Sequence, residues 1–148
     1  MMSQIPKTIK IIATLGLLPF FLGAIATFTV SILDFDTKVL LIKLSTLYAG
    51  LILSFLGGCL FGFESISGKN PNRMRLWISI IPSLWSLIAL QIPHFSASIL
   101  ALGFLVVYEF DRKSSLAGTV PNWWLSLRLP LTAIVILNLT IIGFNHAS

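Results

Sequence analysis

The sequence predicts an all-α integral membrane protein, a bundle of about five transmembrane helices. Only 10% of its 148 residues are charged and 56% are hydrophobic, whereas an ordinary soluble domain carries about 25% charged residues. The hydrophobic residues are gathered in runs of membrane-spanning length, and the basic residues lie in short clusters between those runs. The net charge of +5 therefore reflects membrane topology. We predict no nucleic-acid partner, because no basic stripe follows one face of a helix.

The first two helices are predicted over residues 11–33 and 39–63. Residues 24–26 resemble a signal-peptidase site, but the apolar run continues to Leu33, which makes it longer than the apolar core of a cleaved signal. We therefore expect a retained first helix. It tolerates Pro19 because neighbouring groups can bond the carbonyl oxygen that a proline frees.

Three further helices are predicted over residues 76–90, 95–110 and 122–144, and all five helices form one domain, residues 1–148. The third and fourth helices are short, since runs of this length rise about 23 Å and the hydrocarbon core is about 30 Å thick. Two arrangements are compatible with this length. One is a tight hairpin of full spans that recruits flanking residues, which is the favoured interpretation. The other is a re-entrant pair that dips partway into the membrane.

The distribution of basic residues predicts the orientation of the chain. With five spans, one side of the membrane holds Lys7, Lys10, Lys69, Arg73, Arg75, Arg112, Lys113 and Arg128. The other side holds Lys38 and Lys43. Because short basic loops stay on the cytoplasmic side, we expect the N-terminus inside and the C-terminus, residues 146–148, outside. No Arg-rich transit peptide precedes the first helix, which favours a multi-pass protein of the bacterial inner membrane.

Small residues recur every four positions in the second predicted helix: Gly50, Ser54, Gly58 and Gly62, with Gly57 beside them. This spacing places them on one helix face, where small side chains let helices approach each other closely in lipid. The structural interpretation is that this face packs the helix inside its own bundle. The functional alternative is a groove for a lipid tail, a quinone or a helix of a partner protein.

Polar residues converge on the predicted cytoplasmic ends of the helices: Glu64, Arg73, Arg75, Glu109, Asp111, Trp123, Trp124 and Arg128. Arg128 lies one turn inside the last helix, a depth at which charged groups pair or extend to the interface. Asp111 is the obvious partner because the two helices are consecutive, and this predicts an interfacial ion pair beside Trp124. The alternative is a headgroup or anion site built from Arg73, Arg75 and Arg128, since clustered guanidinium groups bind phosphate.

Pro82 lies in the middle of the third predicted helix, where it removes a backbone hydrogen bond and predicts a kink. Catalytic chemistry has little support in the sequence. No residues have the spacing of a metal site or of a nucleophile–base pair, and Cys59 is the only cysteine. We therefore predict no catalytic residues, no metal and no cofactor.

Several segments resemble the domain of unknown function 3429 family of transmembrane protein 69-like small membrane proteins. The main segments are residues 48–58 with Phe61 and Gly62, and residues 127–132. The matching positions elsewhere span nearly the whole chain: residues 17–20, residues 82–85, Tyr108, Asp111 and Trp124. The family usually has tryptophan where this chain has Phe61. The resemblance implies a bacterial inner-membrane or mitochondrial protein of no known activity, in which Asp111, Arg128 and the glycine face matter beyond packing.

Three functions are compatible with these observations. The leading hypothesis is a non-enzymatic accessory subunit or assembly factor, whose partners are the lipid bilayer and the helices of a larger membrane complex. The second is a lipid- or quinone-binding protein, or an enzyme, that uses the cytoplasmic arginine cluster. The third is a small transporter that acts as an oligomer.

Overall fold

The computed structural model describes residues 5–29, 33–67 and 70–146. All regular secondary structure in these ranges is α-helical, which confirms the predicted fold class. The helices are α1 (Lys7–Leu15), α2 (Leu18–Phe28), α3 (Phe35–Ile66), α4 (Arg73–Ile78), α5 (Ile81–Leu90), α6 (Ser96–Leu116) and α7 (Trp124–His146). Three predictions lie outside the described residues: residues 30–32 of the first helix, the basic residue Lys69, and the C-terminal residues 147–148.

Four segments of the described chain are long and apolar enough to cross a membrane: α1 with α2, α3, α4 with α5, and α7. The fifth long helix, α6, has 21 residues. Its rise of about 31 Å also matches the hydrocarbon core. The last two turns of α6 carry Glu109, Asp111, Arg112 and Lys113, which makes it less apolar than the other four. The described chain is therefore a bundle of helical segments that are long enough to span a membrane, four of which are also apolar enough to do so.

The first predicted helix, residues 11–33, is two helices in the structure. The helical conformation begins at Lys7, so the lysine-bearing turn before the apolar run is also helical, and α2 ends at Phe28. Pro19 lies in the first turn of α2. Because proline has no N–H group, it cannot bond the carbonyl oxygen of Leu15, and the helix is interrupted there. The prediction of one continuous helix was therefore wrong.

The third predicted helix, residues 76–90, starts earlier and is also interrupted. The side chain of Asn72 accepts hydrogen bonds from two backbone N–H groups of the first turn at 3.0 and 3.4 Å, so α4 begins at Arg73. Pro82 lies in the first turn of α5, as Pro19 does in α2, and because it has no N–H group it cannot bond the carbonyl oxygen of Ile78. The break therefore falls at residues 79–80 rather than as a kink at the proline. The combined span has 18 residues, a length that favours the hairpin over the re-entrant pair.

The second predicted helix, residues 39–63, is longer at both ends, and α3 has 32 residues. Asp34 caps its N-terminus, since the backbone N–H and the hydroxyl group of Thr37 donate to the Asp34 carboxylate at 3.1 and 2.7 Å. A helix of this length rises about 48 Å and therefore extends beyond a hydrocarbon core of about 30 Å. The apolar pattern marked only its membrane-buried part.

The last two helices also differ from their predicted limits. The helix predicted over residues 95–110 continues to Leu116, because the polar turns that follow the apolar run remain helical. An ion pair between Glu109 and Arg112, three residues apart, stabilises this extension. The helix predicted over residues 122–144 is shifted by two residues, to Trp124–His146.

Helix α3 lies at the centre of the bundle, where it packs against α2, α5 and α6, while α7 packs against α6 and α2. The largest fully buried apolar side chains form the core: Phe20, Leu53, Leu100, Phe104, Val107, Leu139 and Ile142. Two glycines in the core permit close approaches between helices. A Cβ atom at Gly23 would collide with Ser45, and one at Gly103 would lie 2.6 Å from Cδ2 of Leu53. Large apolar side chains cover the outside of the bundle, which suits a lipid environment.

Candidate functional site

Asp111 on α6 and Arg128 on α7 form a buried ion pair at one end of the bundle. Nε of Arg128 donates to Oδ2 of Asp111 at 2.9 Å. Arg128 is 5% exposed and Asp111 is 1% exposed. The indole N–H of Trp124 donates to Oδ1 of the same carboxylate at 2.7 Å. The structure therefore brings three of the sequence-predicted site residues together around one carboxylate.

The connection between α6 and α7 positions these side chains. Gly118 follows α6 with φ of 70°, in the left-handed region that glycine adopts without steric cost. The chain then reverses, so that α7 packs along α6. Trp124, the first residue of α7, makes an edge-to-face contact with Phe63 of α3, with ring centroids 4.8 Å apart. Because Arg128 follows Trp124 by four residues, both side chains reach the same carboxylate.

The carboxylate of Asp111 is shared between two donors, which leaves the guanidinium group of Arg128 incompletely bonded. At the exposed pair on α6, Arg112 uses Nε and Nη2 together to bind both oxygens of Glu109, at 2.9 and 2.7 Å. Arg128 instead bonds Oδ2 of Asp111 through Nε alone, and the indole N–H of Trp124 bonds Oδ1. Nη2 of Arg128 is buried and has no hydrogen-bond partner in the described part of the protein.

Arg128 also lines a cleft of about 320 Å³ between α1, α2, α3 and α7, with Phe104 of α6 also among its lining residues. This volume lies within the range of about 300–1,000 Å³ that is typical of small-molecule sites. Its walls are mainly aliphatic and aromatic, and they include Ile12, Ala13, Tyr48, Phe55, Cys59 and Leu131. The contribution of α1 was missed in the sequence, because no local pattern there indicates which helices it contacts.

The three arginines predicted as a possible anion site do not form one cluster. Nη1 of Arg75 lies 3.5 Å from Oε2 of Glu64 and 3.5 Å from the hydroxyl oxygen of Thr119. Arg73 is exposed and makes no ion pair with a described residue. Because Arg75 and Arg128 are each paired with a different carboxylate, a shared phosphate site of all three side chains is not formed. Glu64 instead ties the end of α3 to the following loop, since its Oε1 accepts from the backbone N–H of Asn72 at 2.8 Å.

The predicted glycine face is divided between two environments. A Cβ atom at Gly50 would lie 3.0 Å from Cδ1 of Leu90, and one at Gly57 would collide with the carbonyl oxygen of Ser79. A Cβ atom at Gly58 or Gly62 would meet nothing within 4 Å in the described structure. Seven residues turn an α-helix by nearly two full turns, so positions 50 and 57 share a face whereas position 58 lies about 80° away. The expectation that all these residues pack within the bundle was therefore wrong for Gly58 and Gly62.

Ser54, the remaining residue of the predicted glycine face, lies between these two environments. It is half-buried, and its hydroxyl group donates to the carbonyl oxygen of Gly50 at 3.0 Å. As for metal binding, the described residues contain no group of three or more His, Cys, Asp or Glu side chains that could hold an ion. The features left for a functional interpretation are thus the Arg128 cleft and the open glycines of α3.

The comparisons with known proteins agree with the resemblance found in the sequence. A family model described as Protein of unknown function (DUF3429) matches residues 5–143. Transmembrane protein 69 of Xenopus tropicalis is 32% identical over 97 residues, and this match covers 62% of the present chain but 38% of the relative. No solved structure matches the chain. Because the family model spans nearly the whole sequence, with the ion pair and the glycine face inside it, the chain belongs to the family described as Protein of unknown function (DUF3429).

Proposed function

We propose that this protein is a non-enzymatic accessory subunit or assembly factor that docks on a larger complex in the bacterial inner membrane. One observation carries the proposal: two glycines one turn apart, Gly58 and Gly62, have open space where a side chain would lie. We name this surface of α3 the open glycine face. It provides room for a transmembrane helix of another protein.

The free energy of helix formation supports this interpretation. Each glycine inside a helix costs about 1 kcal/mol relative to alanine. At Gly50 and Gly57 the absence of a side chain permits close contact with α5 and the turn before it. At Gly58 and Gly62 no contact inside the described bundle offsets that cost. In lipid, small residues four apart let a second helix approach closely enough to gain dispersion contacts, which would offset it.

The surroundings of the open glycine face define the chemistry of the partner. The exposed neighbours on α3 are apolar: Leu51 is 68% exposed, Phe55 65% and Phe61 49%. No charged residue occurs between Leu44 and Phe63. The matching partner is therefore an apolar transmembrane helix with small residues of its own at the crossing point. The accompanying orientation, with the N-terminus in the cytoplasm, is supported by the uneven distribution of basic residues.

Affinity purification tests the proposal. The tagged full-length chain would be isolated from its native membrane in a gentle detergent, and the co-purifying proteins quantified by mass spectrometry. We expect one membrane protein in a stoichiometric amount with the wild-type chain. Gly58→Leu places a large side chain on the open glycine face and should reduce that partner at least tenfold.

Ala133→Leu is the matched control, because it adds the same side chain at an exposed position of α7. This variant should retain the partner in full. Equal recovery of the partner with Gly58→Leu and with Ala133→Leu would exclude the open glycine face as the docking surface. Purification of the wild-type chain alone, or only as a homodimer, would refute the accessory function.

A further inference from the structure

The buried Nη2 group of Arg128 needs an acceptor that the described chain does not supply. A buried donor without an acceptor loses its hydration and gains nothing in return, so such groups almost always have a partner. Asp111 does not supply it in this structure: Oδ2 accepts from Nε of Arg128 and Oδ1 from the indole of Trp124, and Nη2 bonds neither oxygen. The unsatisfied donor is therefore a consequence of how Asp111, Trp124 and Arg128 are arranged. Arg128 also lines the cleft between α1, α2, α3 and α7 described above.

The dimensions of the cleft match a chain-like molecule with one polar end. Along α3 the lining extends from Cys59 to Tyr48, a separation of 11 positions that corresponds to about 16 Å. This is about half of the hydrocarbon thickness of about 30 Å, or the depth of one leaflet. Trp124 contacts Phe63, which lies one turn beyond Cys59 on α3. This contact places Arg128, at the first turns of α7, at the Cys59 end of the cleft.

The charges around the cleft favour a neutral ligand. Asp111 and Arg128 together carry no net charge, and Arg128 is the one charged side chain among the described residues that line the cleft. An anionic headgroup would add a net negative charge to a buried, largely apolar site, which is costly. A neutral oxygen acceptor would satisfy Nη2 without that cost.

We propose that the cleft binds one amphiphile, whose neutral carbonyl oxygen accepts a hydrogen bond from Nη2 of Arg128 once the guanidinium group turns towards the cleft. Its apolar chain lies along α1, α3 and α7 towards Tyr48. The ester carbonyl of a membrane lipid and the ring carbonyl of a quinone share this chemistry. Gly58 and Gly62 do not line the cleft, so Gly58→Leu tests the docking function without changing a residue that lines the ligand site.

The proposal can be tested with the purified full-length protein in detergent micelles. Three probes are added separately: a decyl-substituted benzoquinone, a neutral diacyl phosphatidylcholine, and an anionic phosphatidylglycerol with the same acyl chains. The dissociation constant follows from the rise of Tm with probe concentration. We expect saturable binding of one of the two neutral probes, and the probe that binds identifies the carbonyl source.

Ala13→Phe fills the cleft from α1 and leaves the ion pair untouched, so it should weaken binding at least tenfold. Thr14→Phe is the control, since it adds the same ring at the next, exposed position of α1, which does not line the cleft. Arg128→Lys keeps the positive charge but removes the separate Nη2 group of the guanidinium. It should also weaken binding at least tenfold. Should Arg128→Lys fail to fold, Ala13→Phe alone decides.

Three outcomes would overturn the proposal. Failure of both neutral probes to bind the wild-type protein would show that the cleft is not an amphiphile site. Binding of the phosphatidylglycerol alone would contradict the neutral acceptor. Undiminished binding to Ala13→Phe would place the probe elsewhere on the protein.

Discussion

Replacing Asp111 by leucine should destabilise the protein strongly, because the change leaves two buried donors without an acceptor. Arg128 loses its acceptor at 2.9 Å, and Trp124 loses its acceptor at 2.7 Å. Asp111 is only 1% exposed. Water therefore cannot take the place of the carboxylate unless α6 and α7 separate.

The size of the effect follows from these contacts. Removal of one partner of a buried ion pair costs about 3–5 kcal/mol, and a buried indole N–H without an acceptor adds about 1–3 kcal/mol. We expect Asp111→Leu to lower the free energy of unfolding by about 4 kcal/mol or more. In the double variant, Arg128→Met also removes the unpaired charge, and only the indole of Trp124 stays unsatisfied. The loss should then fall to about 1–3 kcal/mol.

A double-mutant cycle measures this coupling. The free energy of unfolding of the wild type, both single variants and the double variant would be determined in mixed micelles by titration with a denaturing detergent. We expect the double variant to be more stable than Asp111→Leu alone by about 1–3 kcal/mol, so that the effects of the two changes are not additive. Additive effects of the two changes would mean that the pair contributes nothing as a pair. The explanation of Arg128 as a charge held by Asp111 would then be wrong.

Two further predictions concern α3 and its N-terminal cap. Gly57→Ala should lower stability by about 1–3 kcal/mol, because the new Cβ atom collides with backbone. Gly58→Ala should be neutral or raise stability by up to about 1 kcal/mol, and equal Tm values for the two variants in detergent would contradict this. The pKa of Asp34 lies below its usual value because the carboxylate accepts hydrogen bonds from the hydroxyl and N–H of Thr37. The stabilisation by this cap is therefore present above about pH 4 and lost as the pH falls through the lowered pKa. Asp34→Asn caps without titrating. It should abolish the pH dependence of the amide protection factors in the first turn of α3, and an unchanged pH dependence of these factors would exclude Asp34 as its source.

The parts of the fold that depend on local composition could be predicted from the sequence. Apolar runs marked the membrane-buried portion of each helix, because lipid requires an apolar surface over a fixed length. The proximity of Asp111 and Arg128 could also be anticipated, since consecutive helices joined by a short loop pack side by side. The polar extension of α6 to Leu116 could not, because polar helical turns outside the membrane resemble any other polar segment.

The features that depend on packing between distant helices were beyond the sequence. A proline such as Pro82 is compatible both with a kink in a continuous helix and with the start of a new helix. In the structure Pro82 lies just after the break at residues 79–80, in the first turn of a new helix. The glycines of α3 are compatible with spacings of four and of seven, and only the position of α5 shows that Gly50 and Gly57 share the packed face. The cleft could not be anticipated, because its walls come from five helices and its unsatisfied donor arises from the geometry of one shared carboxylate.

The pairing of α6 with α7 has a consequence for biosynthesis. Asp111 on α6 and Arg128 on α7 are buried charged side chains that would be costly to place unpaired in a bilayer. Because the two helices are consecutive, they can enter the membrane together as one hairpin, with the charges of Asp111 and Arg128 already neutralised. On this route the cost of insertion is reduced before the rest of the bundle has assembled. The same ion pair that stabilises the mature protein would thereby favour joint insertion of α6 and α7.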